Sequence, residues 1–168
     1  MVKIGLKFKA SLENIQELNS KDENFRWYLK FSCSGCSEET DKWNYLSLNE
    51  VVDSYHGAVS HFVCKCKSCK RTNTVTIIED SLKAYTAEDE GTFKTIAVFD
   101  CRGLNPIDFK SGEGWVVKAV NNGTEFENVD LNEGSWSEYC EIIKQPVSVD
   151  DIEHSFEKIK YQGLNNKC

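Results

Sequence analysis

The sequence predicts an all-β protein, mainly antiparallel, and three observations carry that prediction. Apolar residues recur at period two over long stretches, most plainly at Val2, Ile4, Leu6, Phe8, Ala10 and Leu12, the alternation of a half-buried strand. The connections between such stretches are polar and contain glycine, while the chain has only 2 Pro. A helix fits only over residues 47–55, SLNEVVDSY, so sheets joined by hairpins must supply the core.

Taken in order, the first strand runs through residues 2–12, and a second follows where Phe25, Trp27, Leu29 and Phe31 share a face directly before a cysteine pair. Further strands are predicted over residues 41–48, 60–65, 73–79, 93–100, 115–120 and 124–131, each rich in β-branched or aromatic residues. In DDIEHSFEKIKY, Ile152, Phe156 and Ile159 suit a helix, while Ile152, His154 and Phe156 suit a strand; the strand is preferred. Asn121-Asn122-Gly123 is a hairpin signal, because both central residues of the favoured tight turn need positive φ.

Two halves of one compact domain, residues 1–168, are suggested by an internal repeat. With FRWYLKFSCSGCSE set over EGWVVKAVNNGTEF, Trp27 meets Trp115, Lys30 meets Lys118, and Cys33–Cys36 meets residues 121–124. Phe8, Leu12 and Ile15 then align with Phe99, Leu104 and Ile107 across small gaps. The pseudo-symmetric halves cover about residues 1–88, which bear the cysteine hairpins, and 93–168, which do not.

Composition limits the function. Charged residues make up 28% and the net charge is −7, so the surface as a whole repels phosphate backbones and anionic membranes. Nucleic acid and membrane partners are therefore not expected. No apolar run reaches the roughly 18 residues of a spanning helix, and the first fifteen residues alternate where a signal peptide would be continuously apolar. A cytoplasmic protein, also nuclear, is the resulting expectation. In that reducing setting the 8 cysteines are expected to be free or metal-bound rather than paired as disulfides.

Cys33-x-x-Cys36 and Cys66-x-x-Cys69 are two CxxC pairs separated by 29 residues. Each spacing lets a turn aim two sulfurs at one point while turn amides donate to them, and four thiolates suit one tetrahedral zinc. Gly35 would supply a left-handed residue in the first turn, and the second turn lacks a glycine. Four thiolates leave no open coordination position, so the zinc is read as structural rather than catalytic. Their surplus negative charge would be offset by Lys65, Lys67, Lys70 and Arg71. His56, His61 and His154 are not needed as ligands. In HFVCKCKSCK a strand would place Cys64 on the same face as Cys66, about 6.5 Å away, and Cys64 with Cys69 is a rival pair. The two-residue spacing, repeated from the first pair, favours Cys66 with Cys69.

No enzyme can be read from the motifs. Neither CxxC pair opens a helix whose N-terminus would activate a thiol, and there is no phosphate loop or Ser/His/Asp spacing. In CRGLNPIDF, Cys101 could act as a nucleophile beside Arg102 and Asp108, but Gly103 and Pro106 read more simply as turn residues and Leu104, Ile107 and Phe109 as core.

FRWYLK (25–30), the two CxxC pairs, Asp41-Lys42-Trp43, Ala87-Glu88-Asp89, FKTI (93–96), CRGLNPIDF (101–109) and Gly123-Thr124-x-Phe126 together resemble the eukaryotic CXXC-motif-containing zinc-binding protein family, over nearly everything from residue 2 to about 160. The resemblance implies an all-β, pseudo-symmetric two-lobed fold with one zinc on Cys33, Cys36, Cys66 and Cys69 and no established catalytic activity. Cys64, Cys140 and Cys168 depart from the family pattern. The expected function is a monomeric, non-enzymatic zinc scaffold that binds an unidentified protein partner. The alternative is a metallochaperone-like protein exchanging zinc or copper with Cys64 as spare ligand, and a more remote one is a CxxC thiol oxidoreductase.

Overall fold

The structure, a computed structural model, describes residues 2–20, 22–53 and 59–160. Among the described residues every strand pairing is antiparallel, in four sheets. The strands are β1 (Val2–Glu13), β2 (Ile15–Asn19), β3 (Trp27–Cys33), β4 (Asn44–Leu46), β5 (Val52–Asp53), β6 (Val59–Ser60), β7 (Phe62–Lys65), β8 (Thr72–Ile77), β9 (Tyr85–Thr86), β10 (Lys94–Arg102), β11 (Leu104–Lys110), β12 (Trp115–Ala119), β13 (Glu125–Val129), β14 (Trp136–Cys140) and β15 (Gln145–Ile159). A six-stranded sheet has the order β14-β15-β1-β10-β8-β7, a four-stranded sheet β13-β12-β2-β9, a three-stranded sheet β11-β3-β4, and β5 pairs with β6.

The chain passes between sheets at single left-handed residues. Asn14, φ 55°, separates β1 from β2, and Gly103, φ 85°, separates β10 from β11; a residue in this region redirects the strand without a loop. Asn121 and Asn122 both have φ 55°, as the hairpin signal requires. Between the sheets lies an aromatic core in which Trp27 and Trp115 are fully buried and meet edge to face at 6.1 Å. Phe25 packs at 4.8 Å from each of them, Phe8 lies 5.7 Å from Trp115, and Tyr85 packs edge-on to Phe8 at 5.2 Å. Burying each ring contributes on the order of 2–3 kcal/mol.

Two local expectations are corrected and a third is borne out. Residues 47–53 form a turn and the short β5, not a helix. The Ser47 hydroxyl donates to the Glu23 carbonyl, and the Asn49 amide donates to the same carbonyl, so polar groups here bind a distant loop instead of a helical turn. Residues 54 and 55 of that expectation lie outside the described residues. CRGLNPIDF is not a turn beyond Gly103, because Leu104–Lys110 is a strand with Pro106 inside it. Pro106 is tolerated there since β11 is a sheet edge, and a bulge between Pro106 and Asp108 turns Ile107 outward, leaving it 40% exposed. The ambiguous C-terminal segment is strand, part of β15.

Candidate metal centre

Strand alternation carries the core directly into the first cysteine. Trp27, Leu29, Phe31 and Cys33 are buried on one face of β3, and Cys33 lies opposite Leu104 of β11. The chain then reverses: the Cys33 amide donates to the Glu38 carbonyl, and the Ser37 amide donates back to the Cys33 carbonyl. The turn between β7 and β8 repeats this plan, with Cys66 N–H bonded to the Arg71 carbonyl and Lys70 N–H to the Cys66 carbonyl. In both, the left-handed residue directly follows the second cysteine: Ser37 at φ 64° and Lys70 at φ 63°. Gly35 does not have that role. Its missing side chain admits Arg71 instead, whose Nη1 would stand 3.2 Å from a Cβ there, placing a guanidinium against the first turn.

The four sulfurs of Cys33, Cys36, Cys66 and Cys69 lie within 4.8 Å of one another. Cys36 and Cys66 are 3.4 Å apart, and Cys33 and Cys69 3.7 Å. A tetrahedron with metal–sulfur bonds of about 2.3 Å has edges of about 3.8 Å, so small shifts suffice to accommodate zinc. Cys33 and Cys66 are buried while Cys36 and Cys69 are exposed, which leaves one side of the cluster facing solvent.

Backbone amides prepare the sulfurs for cation binding. Those of Cys36 and Gly35 pull the Cys33 thiol down to about 6, and those of Cys69 and Ser68 lower Cys66. The Glu38 amide pulls on Cys36 as well, but the Cys66 sulfur, burial and the other cysteines outweigh it and push that thiol up to about 12. Four sulfurs at contact distance cannot all be anionic without a cation between them. A second layer steadies the set. Asn73, 1% exposed, donates from Nδ2 to Cys33 Sγ at 3.6 Å, and the Gly103 carbonyl accepts the Ser34 amide at 3.0 Å.

Cys64 is outside the cluster. It pairs across the β7–β8 ladder with Asn73, and burial raises its thiol. With Cys33, Cys66 and Asn73 it lines a cavity of about 280 Å³. Cys101 is buried and its thiol pushed up to about 12 by burial, which silences it as a nucleophile. His61 accepts the Ile77 amide on Nδ1 at 2.8 Å, and His154 lies 3.4 Å from Asp108. His56 and Cys168 lie outside the described residues. Sequence reasoning missed Asn73 and Gly103; a glycine directly after a strand ending in Cys-Arg was the one available signal, and it was read only as a turn.

Fold and site together define a β protein with a four-cysteine metal-binding cluster built on two hairpin turns. The chain belongs to the eukaryotic family of CXXC motif containing zinc binding proteins, whose pattern matches residues 5–157. It is 45% identical to the CXXC motif containing zinc binding protein of Xenopus laevis over 159 residues, 94% of this chain and 99% of that one. The protein of the same description from Homo sapiens is 43% identical over the same shares. The crystal structure of C1orf123 superposes with a TM-score of 0.91 at 42% identity, covering 94% of this chain and 99% of that one. A hypothetical protein from Plasmodium falciparum shares the fold, with a TM-score of 0.85 at 21% identity over 94% of this chain and all of that one. No helix among the described residues is long and apolar enough to cross a membrane.

Proposed function

We propose that this chain is a non-enzymatic scaffold held together by one structural zinc on Cys33, Cys36, Cys66 and Cys69, acting as a monomer on a protein partner in the cytoplasm or nucleus. The observation that carries the reading is the convergence of four sulfurs within 4.8 Å at the end of a core strand. Bound there, zinc neutralises the thiolates and ties the turn after β3 to the β7–β8 hairpin. All four positions are filled by sulfur, leaving no site for a reacting water. Loss of the metal leaves a cluster of sulfurs that can satisfy each other only by protonation, so metal binding and folding are linked.

X-ray absorption of protein purified without a metal-binding tag tests the reading together with elemental analysis. A first shell of four sulfurs, one zinc per chain, and a lower melting temperature after chelation are expected. Nitrogen or oxygen in the first shell, or an unchanged melting temperature without metal, would contradict it. A second reading, metal exchange, draws support from Cys64, which shares a cavity with the two buried cysteines of the cluster, Cys33 and Cys66.

A further inference from the structure

The outer face of the three-stranded sheet carries an array that neither the core nor the metal centre requires. The buried residues of β3 alternate with Tyr28 and Lys30, which lie on the opposite face. Tyr28 stands in register with Tyr45 of β4 and Lys110 of β11, and the Tyr28 and Tyr45 rings are 6.1 Å apart. Arg26 lies over Tyr45 at 4.4 Å. Lys110 lies 5.1 Å from the Tyr28 ring and 5.7 Å from that of Trp43, and Lys30 is 4.8 Å over Trp43. Three cations thus rest on three aromatic rings, in a chain of net charge −7.

Their charges are held but, apart from the nearby Glu50 carboxylate acting on Arg26, not cancelled. A ring face attracts a cation through its quadrupole and leaves the net charge in place. Among the described residues Lys7, Lys9 and Lys94 find carboxylates, whereas Arg26, Lys30 and Lys110 form no salt bridge. Asp108 is in register with Lys30, yet its carboxylate accepts the Phe109 amide and lies against His154. Glu50 is at the rim, where it accepts the Tyr45 hydroxyl at 3.2 Å. With 27 acidic residues against 20 basic ones, such a group of unpaired cations is not a product of overall composition.

We propose that this face, formed by Arg26, Tyr28, Lys30, Trp43, Tyr45 and Lys110, docks a short acidic, extended segment of a partner protein. Three strands at about 4.8 Å spacing span about 10 Å, the reach of three to four extended residues. Aspartate or glutamate side chains meet the cations while the segment's apolar parts lie on the rings. Charge complementarity selects the class: a phosphate backbone carries its charge along its whole length and is repelled by the acidic remainder of the surface, whereas a short acidic segment meets only this patch. The proposal rests on the scaffold reading, and it names that scaffold's docking surface.

The test is an amide chemical-shift titration of the zinc-loaded protein with a blocked decapeptide of alternating Glu and Asp. A Gln/Asn decapeptide and a ten-nucleotide oligothymidylate serve as comparisons. Shifts confined to residues 26–30, 43–46 and 108–110, and affinity that falls with salt, are expected. The double variant Lys30→Gln/Lys110→Gln should weaken binding about fivefold or more with zinc content and melting temperature unchanged. No shifts at millimolar peptide, shifts elsewhere, or equal affinity in the double variant would overturn the proposal. Tighter binding of oligothymidylate to this face would overturn it in favour of single-stranded nucleic acid. Zinc-loaded protein that ignores the peptide removes this surface and leaves the scaffold reading standing; protein that stays fully folded without zinc removes the structural-zinc reading and leaves this surface.

Discussion

Replacing Gly103 with alanine should damage the metal centre although Gly103 offers no ligand. At φ 85° the residue sits where an L side chain costs about 1–2 kcal/mol. A Cβ there would also stand 2.8 Å from Asn73 Cγ, and closer still to Oδ1, so the amide must move. Asn73 is 1% exposed, and moving it gives up the N–H bond to Cys33 Sγ, worth about 1 kcal/mol. The two effects sum to about 2–3 kcal/mol, a drop of about 4–12 °C in melting temperature for a chain of this size.

The assay is thermal unfolding of the zinc-loaded protein as Gly103→Ala, Asn73→Ala and the double variant, with the sulfur-to-metal absorption of the cobalt-substituted forms as a second readout. Once Asn73 is alanine, its Oδ1 and Cγ are gone, its Cβ stays at 3.4 Å in ordinary contact with the new methyl, and the backbone cost is what remains. The double variant should therefore be more stable than the sum of the single effects implies, by about 1 kcal/mol. Both single variants should shift the cobalt spectrum, because both remove a hydrogen bond from one ligand sulfur. Additive effects, or a Gly103→Ala cost below about 1 kcal/mol, would refute the claim that this glycine exists to admit Asn73.

The cysteines of HFVCKCKSCK should separate under mutation: Cys66→Ser should lose zinc or much of the fold, while Cys64→Ser keeps both, as elemental analysis and circular dichroism would report. If metal exchange operates, Cys64→Ser should also slow transfer to a competing chelator, and zinc loss from Cys64→Ser would overturn Cys66 as the ligand in favour of Cys64 with Cys69. His61 should impose a pH dependence on stability. Burial outweighs the opposing Glu79 charge and lowers its pKa, and its Nδ1 must stay unprotonated to accept the Ile77 amide. Below about pH 6.5 the unfolded chain takes up a proton that the folded one refuses. The stability advantage of wild type over His61→Gln should therefore be present above pH 6.5 and shrink as pH falls; a constant gap in melting temperature between pH 7 and 5.5 would contradict this.

What could be read from the sequence was local, and what could not be read depended on partners far along the chain. Period two placed Phe25, Trp27, Leu29 and Phe31 on one face, which the structure buries and continues into Cys33, and spacing alone joined the two CxxC pairs. Pro106 was misread because a proline means a turn in isolation and is harmless in a strand only when that strand is an edge, a fact of sheet order. The helix expected at residues 47–55 failed because Glu23, more than twenty residues earlier, supplies the carbonyl that Ser47 and Asn49 bind. The cationic face was half legible: alternation turns Tyr28 and Lys30 outward, but Trp43 and Lys110 join them only through the fold.

Cys140 separates what the turn contributes from what the metal would. Its sulfur is bonded to the Thr124 hydroxyl and to the amides of Ile143 and Ile142, which outweigh burial and bring the thiol down to about 7. These amides stand three and two residues ahead, the same offsets at which Cys36 and Gly35 serve Cys33 and Cys69 and Ser68 serve Cys66. Lys144, four residues on, has φ 53°, matching Ser37 and Lys70. Yet Cys140 is fully buried, has no second sulfur in its turn, and accepts the Thr124 amide at 3.4 Å where Cys33 and Cys66 face other thiols. The amide-lined, left-handed turn is thus a property of the backbone that forms without a metal. A metal site requires two such turns to meet sulfur to sulfur, and among the described residues that happens only where β3 and the β7–β8 hairpin converge.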